Sequence, residues 1–478
     1  MTLSQALAEG ARRHAGRPAL LAPALTLSHA QLDSCVVRAA AELMARGIKP
    51  AQVVGVSMHT SPLQLLTLLA LAHVGACSVH VHPDHPLAVK RALAQQFGIT
   101  AVVCDPGMKA PLEADPAWLE AKPGATPALP AGGDGPWRIA LSSGTTGLQK
   151  GVLITHADAL AEIARMSAAE SVTRDDVLLC HRGLDSNWAL RTVLSHLVCG
   201  GAVAFPATRS ASHLLEAVKR HAATRLMVSP AYLRDLVEQL PGGGLPGVRR
   251  ILIGGGALPA ELLALAAERV TPNLATGYGI TEIGTLALAD RALLARAPAS
   301  VGGLLPGVEG EAVDADDRRV PRGQRGILRF RRPGMPQEYF RHPEASAKMF
   351  RHGWFYPGDV GRIDAEGLLY IEGRVDDELN LGGMKIEPEP IEQALREHAA
   401  VVEAAVFAAA PDRGPPALFA AAVLRTAVDE KDLIAHCRSR VGPMYAPVRI
   451  FFVEQLPRND AGKLLRRELA QRVGRRVP

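Results

Sequence analysis

The order of patterned segments in the first eighty or so residues restricts the fold more than any other feature of this chain. Leu32 to Met44 repeats apolar residues at helical spacing and Gly47 ends the stretch, which predicts an amphipathic helix. Val53 to Met58 reads as a short buried strand, Pro62 opens an apolar helix that Gly75 closes, and Cys77 to Val81 reads as another strand. A strand, a crossover helix and a second strand pair in parallel. The expected class is therefore α/β, with doubly wound sheets.

Between Asp105 and Gly135 the composition shifts to Pro, Gly, Ala and acidic residues, a surface connection that leads into the strand Trp137-Arg138-Ile139-Ala140-Leu141. A second helix–strand series runs from Asp158 to about Gly284 and includes Arg250-Ile251-Leu252-Ile253. After Val301 come short strands with turns, as in Ile327-Leu328-Arg329-Phe330, which predicts a distorted antiparallel β sub-domain. A small α+β unit closes the chain. The organisation expected is a large N-terminal domain, 1–375, and a small mobile C-terminal domain, 376–478, and a chain of 478 residues is long enough for both.

With 48% hydrophobic and 21% charged residues the chain has the balance of a folded globular protein, not a disordered one. Part of its net charge of +5 sits in the tail from Lys463 through Arg466-Arg467 to Arg475-Arg476. No aromatic residue lies between those arginines to stack on bases, so the tail reads as a solvated helix end and no nucleic-acid partner is expected. Six scattered cysteines without a Cys-x-x-Cys pair suit a reducing compartment. The N-terminal residues lack the build of a signal peptide, and the apolar run Leu63 to Val74 is too short to span a bilayer. A cytoplasmic protein without a membrane span is expected.

The chemistry begins where the strand Trp137–Leu141 ends, in Ser142-Ser143-Gly144-Thr145-Thr146-Gly147-Leu148-Gln149-Lys150-Gly151. Glycines let backbone N–H groups converge on an oxyanion, hydroxyls add donors and a lysine adds charge, the make-up of a phosphate cradle. It is not the P-loop of ordinary NTPases, which needs Gly directly before its Lys and Ser or Thr directly after. Taken alone, such a turn is equally well a plain flexible loop.

This loop resembles the signature of the adenylate-forming superfamily, which includes acyl- and aryl-CoA synthetases, luciferase and the adenylation domains of peptide synthetases. Gln149 replaces that family's proline, a change expected to alter loop stiffness more than chemistry. Four further segments match in the family's order. Gly277-Tyr278-Gly279-Ile280-Thr281-Glu282 resembles the motif whose tyrosine stacks on adenine, whose threonine meets the α-phosphate and whose glutamate helps hold Mg²⁺. Gly353-Trp354-Phe355-Tyr356-Pro357-Gly358-Asp359 resembles the segment whose aspartate takes both ribose hydroxyls, a task suited to two acceptor oxygens. Gly373-Arg374-Val375-Asp376-Asp377 with Gly382-Gly383-Met384-Lys385-Ile386 resembles the inter-domain hinge and the glycines lining a pantetheine tunnel; Arg374 would contact ribose or phosphate. Leu456-Pro457-Arg458-Asn459-Asp460-Ala461-Gly462-Lys463 resembles the loop carrying the lysine of the adenylation step. The resemblance also implies Gly256 and Ala257 as nucleotide contacts and Ser186, Asn187, Trp188 and Tyr232 as acyl-pocket residues.

The match departs from the family in two places. In Arg182-Gly183-Leu184-Asp185-Ser186-Asn187-Trp188, Ser186 takes the place of a histidine and Trp188 adds bulk, while Asp185 is similar to the aspartate that holds the amino group in amino-acid-activating relatives. Ala446, in Met444-Tyr445-Ala446-Pro447, stands where relatives carry a lysine near the CoA phosphates. His80, His82 and His85 have the look of metal ligands but overlay on a structural strand end of the family. The resemblance implies ATP- and Mg²⁺-dependent activation of a small carboxylic acid to an acyl-adenylate, then transfer to CoA. The alternatives are a carrier protein's phosphopantetheine thiol as acceptor, or an inactive nucleotide-binding homologue.

Overall fold

A computed structural model describes the chain except residues 109–111, 121–131, 143–148, 241–243, 256–257, 259, 376–378, 382–383, 387, 410–416, 444, 459–463 and 475–478. It forms two compact units. The first comprises Met1–Gly310, Phe330–Phe355 and Gly367–Leu369; the second comprises Glu311–Arg329, Tyr356–Glu366 and Tyr370–Pro478.

The first unit holds the parallel sheets that the opening pattern predicts. Four strands, in the order Ala101–Cys104, Val53–Ser57, Cys77–His80 and Pro136–Leu141, run parallel, and Gly151–Thr155 adds an antiparallel edge. The helix Pro62–Val74 is buried all round, which explains its unbroken apolar sequence. Ser61 caps its start by accepting from Gln64 N–H at 3.1 Å, and Gly75 ends it with φ 81°.

A second sheet of the same unit places six parallel strands side by side: Leu274–Ile280, Arg250–Gly254, Arg225–Val228, Val177–Leu179, Ala202–Ala204 and Pro18–Ala22. Leu214, Val218, Leu233, Leu236 and Leu262 from the intervening helices pack on Val228, Ile251 and Ile253 to form its core. The strand Gly284–Ala289 turns back antiparallel on Leu274–Ile280.

In the second unit, Gly326 and Ile327 pair antiparallel with Gly361 and Val360. A three-stranded sheet, Val401–Ala409, Ala417–Leu424 and Arg449–Phe452, is covered on both faces. Val406, Ala420 and Ile450 meet the helices Pro388–Arg396 and Glu430–Val441, while Phe407, Phe419 and Phe451 meet Arg466–Gly474. Alternate residues facing opposite sides is the period-2 signature of such a sheet. Among the described residues no helix is long and apolar enough to cross a membrane. All six cysteines are free.

Candidate active site

Parallel strands release their chains at one edge of the sheet, the edge where α/β proteins bind ligands. His181 and Arg182 follow Val177–Leu179, Arg209 follows Ala202–Ala204, Tyr232 follows Arg225–Val228, and Thr281 and Glu282 follow Leu274–Ile280.

The hydroxyl- and glycine-rich loop joins two antiparallel strands, Leu141 standing opposite Gly151. Ser142 N–H donates to the Lys150 carbonyl at 2.7 Å and closes the loop's base. A side chain at Gly151 would stand 2.5 Å from Ile139 Cγ2, so only glycine fits there. Ser143, Gly144, Thr145, Thr146 and Gly147 lie outside the described residues, as do Gly256 and Ala257.

Lys150 Nζ lies 5.0 Å from the centre of the Tyr339 ring, a cation–π contact. The Tyr339 hydroxyl donates to Glu282 Oε1 at 2.6 Å, and both residues are buried. Tyr339 thus links two predicted residues that are far apart in sequence, and the sequence did not single it out.

Glu282 belongs to a turn, Thr281–Ile283, between two antiparallel strands; Tyr278 precedes it, its ring 5.9 Å from Phe330. Beneath the turn Glu162 is buried against three guanidiniums. Arg165 is in direct contact, Arg191 Nη1 lies at 3.2 Å and Arg332 Nη2 at 3.9 Å. The cluster grips the turn through its backbone. Thr285 N–H donates to Glu162 Oε1 at 2.9 Å, Arg332 Nε to the Ile283 carbonyl at 2.7 Å and Arg191 Nη2 to the Thr281 carbonyl at 3.4 Å. Gly284, at φ 87°, lets the strand pass, since a Cβ there would come within 2.4 Å of Glu162 Oε1.

Burial pushes the Glu162 carboxyl up, but Arg191, Arg165 and Arg332 together hold it below the usual carboxylate range. Arg332 is itself pushed down to about 10, mainly by burial, and stays charged at neutral pH. The result is a permanent charge cluster under the motif.

In the predicted acyl segment, Ser186 caps the helix Asn187–Val198 by accepting from Ala189 N–H at 3.4 Å. Asn187 is buried, its amide oxygen accepting from Arg191 Nε at 3.3 Å. The Trp188 ring lies where Gly254 leaves room, Cη2 being 2.8 Å from the position of a Cβ. Tyr232 lies 4.3 Å from the His181 ring and donates to the Arg209 carbonyl at 3.3 Å.

Asp359 and Arg374 belong to the second unit and are paired there. Arg374 Nη1 donates to Asp359 Oδ1 at 2.7 Å and Nη2 to the Pro357 carbonyl at 3.0 Å, so the guanidinium orients a buried carboxylate. Asp376, Gly382, Gly383 and Lys463 lie outside the described residues. The rings of His80, His82 and His85 follow one another at 6.0 and 5.4 Å, and burial pushes His80 down to about 4. No cluster of metal-binding side chains occurs among the described residues.

A family model for AMP-binding enzymes matches residues 7–340, and a model for the AMP-binding enzyme C-terminal domain matches 390–463. The 2-succinylbenzoate–CoA ligase of Bacillus mycoides is 29% identical over 93% of this chain and 93% of its own. The sulfoacetate–CoA ligase of Cupriavidus necator is 30% identical over 87% of this chain and 81% of its own. Among solved structures, ATP-bound MatB from Rhodopseudomonas palustris matches with a TM-score of 0.90 at 24% identity, covering 100% of both chains. The o-succinylbenzoate CoA synthetase of Bacillus subtilis, in complex with its acyl-adenylate intermediate, matches with a TM-score of 0.88 at 24% identity and 97% coverage of each. The chain belongs to the AMP-binding enzyme family and is an enzyme of its acyl-CoA ligase type, which forms acyl-adenylates.

Proposed function

We propose that this enzyme joins a small carboxylic acid to CoA, using ATP and Mg²⁺ and releasing AMP and pyrophosphate. The observation that carries the reading is the Lys150–Tyr339–Glu282 chain, which draws the base of the phosphate-type loop and the glutamate of the Tyr-Gly-x-Thr-Glu motif to one place. In the first half-reaction the acid's carboxylate attacks the α-phosphorus of ATP in line and pyrophosphate leaves. Such a step needs positioning and charge neutralisation more than covalent help from the protein.

Each residue then has a task. Lys150 and the loop hydroxyls bind phosphate oxygens, Thr281 meets the α-phosphate and Tyr278 stacks on adenine. Asp359, oriented by Arg374, takes the ribose hydroxyls. Lys463 neutralises charge developing between carboxylate and phosphate. A carboxylate oxygen is the donor Mg²⁺ takes, and the Tyr339 bond orients the Glu282 carboxylate, so Glu282 fits as a ligand. Bound there, the ion would screen the phosphate charge. In the second half-reaction a thiol attacks the acyl carbonyl and AMP leaves. For this step we propose that residues 376–478 reorient about Asp376 relative to 1–375, with Gly382 and Gly383 bordering the path of the thiol. Trp188 limits the depth of the acyl pocket and favours short or aromatic acids. Six free cysteines suit the cytoplasm.

Acid-dependent exchange of labelled pyrophosphate into ATP, over a panel of carboxylic acids, tests the first half; no exchange with any acid sinks the reading. Mass spectrometry after adding either free CoA or a pantetheinylated carrier protein identifies the acceptor. Transfer to the carrier alone would replace CoA in the proposal, the outcome that Ala446 makes worth testing.

A further inference from the structure

Two guanidiniums stand in the acyl segment with a single carboxylate, that of Asp185, beside them. Arg182 lies over Trp188, its Cζ 5.4 Å from the ring centre. Arg209 comes in from the connection after Ala202–Ala204, its Nη2 donating to Thr60 Oγ1 at 2.9 Å. The same hydroxyl accepts from Leu184 N–H at 3.1 Å, so Thr60 fixes both the arginine and the segment. A Cβ at Gly183 would stand 1.8 Å from Asp185 Oδ1 and 3.3 Å from Arg209 Nη2, so the absence of a side chain lets the Asp185 carboxylate and the Arg209 guanidinium approach the same place. Asp185 is the carboxylate whose charge acts on Arg182, and one carboxylate does not balance two guanidiniums.

His181 supplies an independent sign. It is buried against Tyr232, and its Nδ1 has no hydrogen-bond partner. Burial, with Arg182 and Arg209 adding to it, pushes its imidazole down to about 3, so the ring is neutral. A buried polar atom left unpaired is unfavourable and rare in folded proteins. Two arginines, one aspartate and a neutral histidine sum to a net positive charge beside an aromatic wall.

We propose that this cluster selects acids carrying a second anionic group, a carboxylate or a similar oxyanion, held by Arg182 and Arg209 beside Trp188 and within reach of His181. Arginine forks match a carboxylate with two parallel hydrogen bonds, and Trp188 provides a flat face for the carbon skeleton between the two acidic groups. The inference rests on the assignment of this segment to the acyl pocket in the proposed ligase.

The test is pyrophosphate exchange with pairs of acids of equal length, pentanoate against glutarate and 4-methylbenzoate against terephthalate. The wild-type enzyme is expected to favour the diacid in kcat/KM by roughly tenfold or more, the scale of one charge-assisted interaction. In Arg182→Gln and in Arg209→Gln that ratio falls toward one, chiefly through a higher KM for the diacid. ATP-induced thermal stabilisation shows that each variant is folded. If Arg182→Gln does not fold, Arg182→Lys carries the same test, since it keeps the aliphatic stem on Trp188 and loses the fork. A wild-type preference for the monoacid, or a ratio untouched in both variants, overturns the inference while leaving the ligase reading in place. No exchange with any acid overturns the ligase reading itself.

Discussion

Glu162 in the first unit and Glu392 in the second are both almost wholly buried, and their carboxyl groups shift in opposite directions. Burial pushes both up. Glu162 faces three guanidiniums and ends below the usual range; Glu392 faces Arg466 and ends above it, with Glu389 adding a like charge. One cation does not offset burial, and three do. The two carboxylates also brace different parts of the proposed chemistry. Glu162 holds the turn bearing Glu282. Glu392 accepts from Val406 N–H at 2.7 Å and clamps Arg466, which opens the last helix just after residues 459–463. Just before that helix Arg458 pairs with Leu464, and Leu465 N–H donates to the Pro457 carbonyl at 2.8 Å. The glutamate's turn rests on three guanidiniums around one carboxylate, and the start of the last helix on a single pair.

The largest effect is expected in Glu162→Gln. Three guanidiniums would lose their counter-charge, at a cost of about 3–5 kcal/mol in urea unfolding at neutral pH. Because its folded pKa is lowered, the stabilising contribution of Glu162 is fully present above the ordinary 4.5 and is lost as pH falls through the folded value. The gap between wild type and variant should therefore narrow in acid; a gap independent of pH would mean that charge is not the cause.

Next comes Lys463→Ala, which should slow adenylate formation by about 10²–10³-fold. Thioester formation from supplied acyl-adenylate should change little. Single-turnover assays of the two half-reactions decide this, and equal damage to both would end the division of labour between the parts.

Asp359→Ala should weaken ATP binding by about 1.5–3 kcal/mol, the worth of charge-assisted hydrogen bonds, as read by calorimetry. Unchanged ATP affinity would remove Asp359 from the ribose site.

The smallest effect belongs to Glu392→Gln, with a change under about 1 kcal/mol at neutral pH, because the amide oxygen can still accept from Arg466 and Val406. With its folded pKa raised, Glu392 contributes stability that is present below the ordinary 4.5 and lost as pH rises through the folded value. If Glu392→Gln were as costly as Glu162→Gln, the contrast between the two units would fail.

The parallel sheets were legible because a buried helix such as Pro62–Val74 and its flanking strands advertise themselves by local periodicity. Motif residues were legible by resemblance, and the structure joins Lys150 with Glu282 and Asp359 with Arg374. Tyr339 was not legible, because its contact with Glu282 depends on chain reversal over long range and no local spacing encodes it. Glu162 does carry a local signal. It occupies the buried stripe Ala159, Glu162, Ile163, Met166 at helical spacing, and a charge on such a stripe requires a buried partner. Arg191 does the same between Leu190 and Val193. Resemblance puts Ser186 in the acyl segment, yet its hydroxyl caps a helix, a local role that a serine before Asn187-Trp188-Ala189 also suggests.

The products of one turnover test the proposed reaction most directly. Enzyme, ATP, Mg²⁺ and an accepted acid, mixed without any thiol, should release pyrophosphate in an acid-dependent burst while AMP remains held as acyl-adenylate. Adding CoA should then release AMP together with an equal amount of thioester. Release of ADP and phosphate instead, or a pyrophosphate burst indifferent to the acid, would contradict it.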